Sequence, residues 1–244
     1  RESSEQYGES VAGIRLQDKD INASPYDEEG KLLPGFISAE GLVAGAADKK
    51  VMNYNFRLNV SKAGDRVPFP KPERYEPKRF LMLERFLKNH PETKLRDLID
   101  LYPFCSGKYQ DNGKGRIVPV NTNKWELNNK QNAIISLGNF GMQFDYPDAS
   151  YEKRKEIYND HKDYTLGFFH FLNTDPSVPE TLRAEVKQIG LTPDEFTDNG
   201  NWPYYLYIRE ARRLIWRHVM RQQDIQTERT KEDAIALGCH WIDC

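Results

Sequence analysis

Tyr54-Asn55-Phe56-Arg57-Leu58-Asn59-Val60 places an apolar side chain at every second position, with polar Asn55, Arg57 and Asn59 between. A period of two sends successive side chains to opposite faces of an extended backbone, so this stretch predicts a strand with one buried face. The next segment, Val67-Pro68-Phe69-Pro70-Lys71-Pro72, loses backbone donors to its prolines and is forced to stay extended. The period then changes. Across residues 76–89, Phe80, Leu83 and Leu87 recur at helical spacing, with Pro77 in the first turn and Pro91 beyond the end. A strand leading into a helix, with no repeating strand–helix alternation, predicts an α+β fold of mixed helices and a small sheet.

Further along, residues 94–101 predict a short helix through Leu95, Leu98 and Ile99. Asp111-Asn112-Gly113-Lys114-Gly115 is a turn signal, and Ile117, Val118 and Val120 read as the strand that follows it. A long helix is expected from Ser150, whose hydroxyl suits an N-cap, with Ile157, Tyr164, Phe168, Phe171 and Leu172 on its apolar face. Asp175-Pro176-Ser177-Val178-Pro179 breaks it, and residues 179–189 resume helix before a turn at Thr192-Pro193-Asp194-Glu195. Residues 204–220 fit a helix through Ile208, Ala211, Leu214, Ile215 and Val219, or strands around Tyr205, Tyr207 and Ile215. Both readings stay open. Residues 1–50, rich in Gly, Ser, Asp and Pro, read as irregular structure with one or two short strands.

Composition limits function by exclusion. In 244 residues, 35 Lys and Arg against 37 Asp and Glu leave a net charge of -2, which offers nucleic acid no electrostatic footprint. Polar overall but 12% aromatic, the chain has large side chains to bury and is expected to fold. It contains no apolar run long enough to span a membrane. Cys105, Cys239 and Cys244 lack metal-ligand spacing and, being odd in number, give no disulfide framework. None of the five histidines pairs with another or with Cys at ligand spacing, so no metal is expected; His161 and His170 read as surface or half-buried side chains. The opening Arg1-Glu2-Ser3-Ser4 and the end at Ile242-Asp243-Cys244 set the expectation of an internal piece of a longer protein.

The signatures of common enzyme classes, GxGxxG after a strand, GxxxxGK[ST], GxSxG and HExxH, are missing. One constellation carries chemistry. Asp198-Asn199-Gly200-Asn201-Trp202-Pro203 runs into Tyr207-Ile208-Arg209-Glu210-Ala211-Arg212-Arg213. A polar turn, an aromatic anchor and interleaved guanidinium and carboxylate groups must find partners or face solvent. Glu210 and Arg213 fit an ordinary surface pair on a helix, while arginines beside Trp202 equally suit a cofactor or an anionic substrate.

The same constellation resembles a hallmark of the FAD-dependent oxidoreductase family, which includes members catalogued as xanthan lyases. Further blocks agree in order: Arg1-Glu2 with Gln6-Tyr7-Gly8-Glu9-Ser10, Leu33-Pro34-Gly35, Tyr54-Asn55-Phe56-Arg57-Leu58, Arg66-Val67-Pro68-Phe69-Pro70-Lys71-Pro72, Asp145-Tyr146-Pro147 with Ala149-Ser150-Tyr151, and residues 233–243. The resemblance covers nearly the whole chain. It departs from the family pattern over residues 121–143, where Trp125-Glu126-Leu127-Asn128-Asn129 keeps only the tail of the expected block, and at Trp216, where glycine is common.

That resemblance implies FAD as cofactor and a two-domain flavoprotein, of which residues 1–244 are the substrate and interface region without the Rossmann-type FAD domain. Flavin would supply the redox chemistry and the protein its orientation and electrostatics. Arg209 and Arg212 are then expected to face the isoalloxazine or the substrate, where a cation stabilises negative charge, and His240 to line the pocket. Arg1, Glu2, Arg57, Asn129 and Trp202 are the expected cofactor-side residues. The implied partners are a small-molecule substrate and a missing flavin-binding domain of the same polypeptide, with no nucleic acid and no membrane. Isolated, the chain is expected to be flavin-free and inactive, because the helix N-terminus that holds a pyrophosphate is missing. A competing reading is a non-catalytic carbohydrate- or partner-binding module, whose exposed Trp and Tyr residues stack on sugars.

Overall fold

The computed structural model describes residues 23–38, 40–43, 45–62, 64, 66–130, 133–209, 212 and 217–226. Strand β1 (Leu58–Lys62) occupies the centre of a four-stranded sheet with β2 (Ile99–Asp111), β3 (Ile117–Asn129) and β4 (Ile189–Leu191) in the order β2-β3-β1-β4. Every pairing is antiparallel. The alternation that predicted the first strand is seen in its burial, since Tyr54, Phe56, Leu58 and Val60 are at most 1% exposed. Regular ladder pairing begins only at Leu58. Ahead of it, Asn55 makes a single bridge to Tyr207.

Register aligns the apolar side chains across the strands. Leu58 stands opposite Leu127, which faces Leu101 on its other side, and Val60 lies between Trp125 and Leu191. Cross-strand pairs of this kind are the unit of sheet stability. The Lys62 ammonium sits 4.4 Å from the centre of the Trp125 ring. β4 is held from the other side by Val67, which exchanges two 2.8 Å backbone hydrogen bonds with Leu191. The fit is close enough that a Cβ on Gly190 would lie 2.4 Å from the Val67 carbonyl oxygen. The proline-rich segment therefore does more than stay extended. It closes the sheet edge that β4 would otherwise expose.

Helical spacing is realised as a 3-10 turn (Pro77–Phe80) running into α1 (Leu81–Asn89), with Phe80, Leu83 and Leu87 buried. Helix α2 (Leu95–Leu98) is a single turn, and Ile99, expected in that helix, instead opens β2. The turn signal at residues 111–115 joins β2 to β3, both much longer than three apolar residues suggested. Helix α3 (Tyr151–Thr174) is capped by the Ser150 hydroxyl, which accepts from the Lys153 backbone N–H at 3.3 Å. Helix α4 (Glu180–Val186) ends sooner than expected, and Ile189 belongs to β4. The last described helix, α5 (Gln222–Gln226), is short. Between residues 23 and 50 the only ladder contact among the described residues is a bridge from Tyr26 to Leu32. The architecture is α+β. No described helix is long and apolar enough to cross a membrane.

A single apolar cluster joins sheet to helices. It includes Leu58, Val60 and Leu191 from the strands, Phe168, Phe169 and Leu172 from α3, and Leu182 from α4. Phe69 of the proline-rich segment stacks on Phe169 at 4.0 Å, nearly parallel. His161 corrects its expected placement, because it is 1% exposed and its Nδ1 lies 2.8 Å from the Ile157 carbonyl. Helical geometry explains the difference: His161 follows Ile157 by four residues and shares its inward face. Burial lowers the His161 pKa below its ordinary 6.5, while the Ile157 bond and Asp160 oppose the shift and Arg79 adds to it. The imidazole is therefore neutral in the folded protein. Because the unfolded chain binds this proton more readily, stability is expected to fall as pH drops below about 6.5. Melting temperature measured from pH 7.5 to 5 should show that slope in the native protein and lose part of it in His161→Gln.

Candidate functional site

The conspicuous Asp-Asn-Gly-Asn-Trp-Pro turn has a structural job that the sequence did not disclose. Phe196, Gly200 and Asn201 all adopt positive φ, of 51°, 64° and 61°. Asn tolerates that left-handed region, and glycine enters it without steric cost. The Asn201 side-chain amide lies within hydrogen-bonding distance of the carbonyls of Thr192, Pro193 and Glu195, at 3.0–3.1 Å. The Asn199 amide donates to the Trp202 carbonyl at 2.9 Å. These bonds fix the path of residues 202–209. Asn201→Ala is expected to cost about 2 kcal/mol in a urea denaturation, from lost hydrogen bonds plus a strained backbone, and Asn201→Gly somewhat less.

Directed by this turn, Trp202 enters the core at 1% exposure. Its ring meets Phe56 at 4.9 Å, and the Lys162 ammonium lies 5.5 Å from the ring centre. Phe56 is contacted on another side by Tyr158, at 5.1 Å, whose hydroxyl donates to the Pro203 carbonyl at 3.1 Å. Burial pushes the Tyr158 phenol pKa up, with the Trp202 indole N–H opposing it. The chain then runs alongside residues 55–57, and the Tyr207 N–H donates to the Asn55 carbonyl at 3.1 Å.

Two guanidinium groups converge on the Tyr207 ring. Arg57 lies 5.1 Å and Arg209 5.7 Å from its centroid. An aromatic face attracts cations, yet two like charges around one ring also repel unless something neutralises them. Glu126 does so for Arg57, through a close ion pair with its Nε and Nη2. For Arg209 no carboxylate is in reach among the described residues, and its buried Nε–H has no acceptor. Arg209 is half-buried, so solvent makes up only part of that deficit.

Asn128 connects this cluster to β3. Its Oδ1 accepts from the Asn55 side chain at 3.0 Å and from the Asn129 backbone at 2.8 Å. Asn129 itself accepts from the Leu137 backbone N–H at 2.9 Å, tying the following loop to the strand end. Of the sequence-derived candidates, Arg57 and Arg209 are thus brought together on Tyr207, Trp202 lies in the core against Phe56, and Asn129 is one residue from the network. Arg212 is placed differently. It approaches Asp148 at 3.5 Å, and both side chains are about two-thirds exposed. Arg1, Glu2 and His240 lie outside the described residues, as does the pair of Glu210 and Arg213. Residues 204–209 are neither helix nor ladder strand apart from the bridge at Tyr207, and most of residues 210–216 lie outside the described set.

Glu126, Tyr207 and the Asn55–Asn128 contact were missed as site components. The sequence showed Glu126 only as part of Trp125-Glu126-Leu127-Asn128-Asn129, the retained tail of the family block, with nothing to pair it with Arg57. Tyr146 and Tyr205 flank the same region. Burial raises the Tyr146 pKa, opposed by the Arg154 guanidinium 5.2 Å from its ring centre and aided by Tyr205. The arrangement is an aromatic-walled surface with one guanidinium that has no carboxylate partner among the described residues. Such an arrangement can attract negative charge.

The family model described as FAD dependent oxidoreductase matches residues 1–244. The chain belongs to the FAD-dependent oxidoreductase family. No curated protein and no solved structure matches it. At family level the oxidoreductase works through a flavin, and the donor set at Tyr207 is compatible with one. The Arg209 Nε–H, which has no acceptor among the described residues, could donate to an acceptor atom of such a group. Among the described residues no group of His, Cys, Asp and Glu is arranged to hold a metal ion.

Proposed function

We propose that these residues form the substrate-side and interface region of a flavoprotein, in which Arg209 faces the isoalloxazine or the substrate of an FAD-dependent oxidation or reduction. The observation that supports this reading is the half-buried Arg209 guanidinium, held on Tyr207 beside Arg57 yet without the carboxylate that Arg57 has. Its role is to stabilise negative charge developing at the reacting end of a bound molecule. Arg57 and Glu126 keep Tyr207 in place and prevent Arg209 from taking Glu126 as its own partner. Arg212 is the outer cation, able to exchange Asp148 for an anionic substrate at little cost because both groups are solvated. His240, Arg1 and Glu2 are assigned to the same pocket by family resemblance alone. When bound, FAD would supply the hydride or electron transfer. Trp202 contributes indirectly, by anchoring residues 202–209 in the core.

On this reading the adenine and pyrophosphate half of FAD is held by polypeptide other than these residues, since no glycine-rich strand–turn–helix occurs in the sequence. Visible absorption spectra with FAD titration test the idea. Full-length protein is expected to be yellow, while the 244-residue chain is colourless and binds FAD at least about 100-fold more weakly. Flavin-free full-length protein that ignores added FAD would remove the proposal and favour a non-catalytic binding module.

A further inference from the structure

Asp-Asn-Gly occurs twice in the sequence, as Asp111-Asn112-Gly113 at the turn between β2 and β3 and as Asp198-Asn199-Gly200 ahead of Trp202. An asparagine followed by glycine carries its own electrophile and nucleophile. The glycine backbone nitrogen can attack the asparagine side-chain carbonyl carbon and close an imide ring, since no glycine side chain crowds the approach. What an ordinary chain lacks is a base for the departing N–H proton and donors for the oxygen that becomes negative.

The first site has both. The Gly113 N–H donates to the Asp111 carboxylate at 2.7 Å, so the proton that must leave already points at a base. Asn112 Oδ1, where negative charge develops, accepts from the Lys114 N–H at 2.9 Å and the Arg116 N–H at 3.3 Å. These bonds hold the turn without covering it. Residues 111–117 are all exposed, and a Cβ added to Gly113 would meet nothing within 4 Å, so water reaches the site.

The second site has the same three residues turned to other tasks. Its carboxylate, Asp198, accepts from the Tyr204 hydroxyl. The Asn199 amide donates to the Trp202 carbonyl at 2.9 Å, and among the described residues no N–H donates to Asn199 Oδ1. The two sites therefore share a sequence and differ in the groups that assist the reaction.

We propose that Asn112 is a self-modification site, converted to aspartate and isoaspartate through an imide whose closure is assisted by the Asp111 carboxylate and the Lys114 and Arg116 N–H groups, while Asn199 stays intact. The Gly113 N–H proton passes to Asp111 as the bond from Gly113 N to Asn112 Cγ forms. The bond from Cγ to Nδ2 then breaks, and ammonia leaves with the proton that Asp111 returns. Water opens the imide at either carbonyl, and nothing is oxidised or reduced. The product carries a carboxylate where an amide stood, and in isoaspartate the backbone runs through the side chain, which lengthens the link between β2 and β3. No part of this depends on the flavin reading.

Incubation of full-length protein in heavy-oxygen water at neutral pH, followed by peptide mapping, tests it. The peptide containing Asn112 should gain the label and an isoaspartate linkage at least about 10-fold faster than the peptide containing Asn199. In urea the turn is lost, so the rate at Asn112 should fall at least about 5-fold and approach that of Asn199. Asp111→Ser keeps an oxygen for the Gly113 N–H but no carboxylate, and should slow the folded site about 10-fold with the circular dichroism spectrum unchanged. The comparison with urea needs no variant and decides the matter if D111S does not fold. Equal rates at the two sites in the folded protein, a rate at Asn112 no higher folded than in urea, or a native rate in folded D111S overturns the proposal.

Discussion

Arg209→Gln is expected to lower the midpoint potential of the protein-bound flavin by about 30–60 mV, or about 1.4–2.8 kcal/mol for a two-electron couple. The size follows from the setting. Arg209 is half-buried and has no carboxylate partner among the described residues, so its charge is neither fully screened nor locally cancelled. Removing a cation from such a place weakens the reduced state, which carries more negative charge. Arg212→Gln should move the potential by less than about 10 mV, because Arg212 is solvated and sits beside Asp148. Arg209→Lys should keep most of the native value. Spectroelectrochemical titration reads all three without knowledge of the substrate. Equal potentials in native protein and R209Q would mean that Arg209 does not face the flavin.

Phe56→Ala should produce the largest loss of stability, about 3–5 kcal/mol by urea denaturation. Phe56 is 1% exposed and meets both Trp202 and Tyr158 edge-on, at 4.9 and 5.1 Å. Deleting the ring leaves a cavity where residues 202–209 dock on the strand segment before β1. The second consequence is functional. With Trp202 unsupported, the hydrogen bond from Tyr207 to Asn55 should weaken and Arg209 should lose its fixed position. Phe56→Leu should recover about half of the stability. A loss below about 1 kcal/mol in F56A would show that the aromatic cluster does not anchor this segment.

What could be read in the sequence was whatever a local pattern determines. The buried face through Tyr54, Phe56, Leu58 and Val60, the helix around Leu83 and Leu87, and the Ser150 cap each depend on residues a few positions apart. Their partners did not. Ile99 and Ile189 are apolar residues at helix ends in the sequence, and only pairing with Asn129 and Lys62 makes them strand residues. The lengths of β2 and β3 likewise follow from pairing with each other, since Lys108, Asn121 and Asn123 carry no strand signal of their own. At the site, Arg209 and Trp202 were legible through their motif, whereas the contrast between Arg57 and Arg209 was not. It rests on Glu126, which lies 69 residues from Arg57 along the chain, and no local pattern pairs the two. His161 was misplaced because its neighbours in sequence are polar, while its neighbours one turn away are not.

The placing of β1 at the middle of the sheet has a consequence for how the protein is made. The ribosome delivers this strand early, yet its two neighbours are β3 and β4, and β4 emerges roughly 130 residues later. At usual elongation rates the edge of β1 that β4 covers waits bare for about 6–25 s, roughly twice as long as the edge that β3 covers. Throughout that interval it is a ready template for another nascent chain or a client for a holdase. Yield of active protein should therefore depend on translation speed and chaperone supply, and less on the stability of the finished fold.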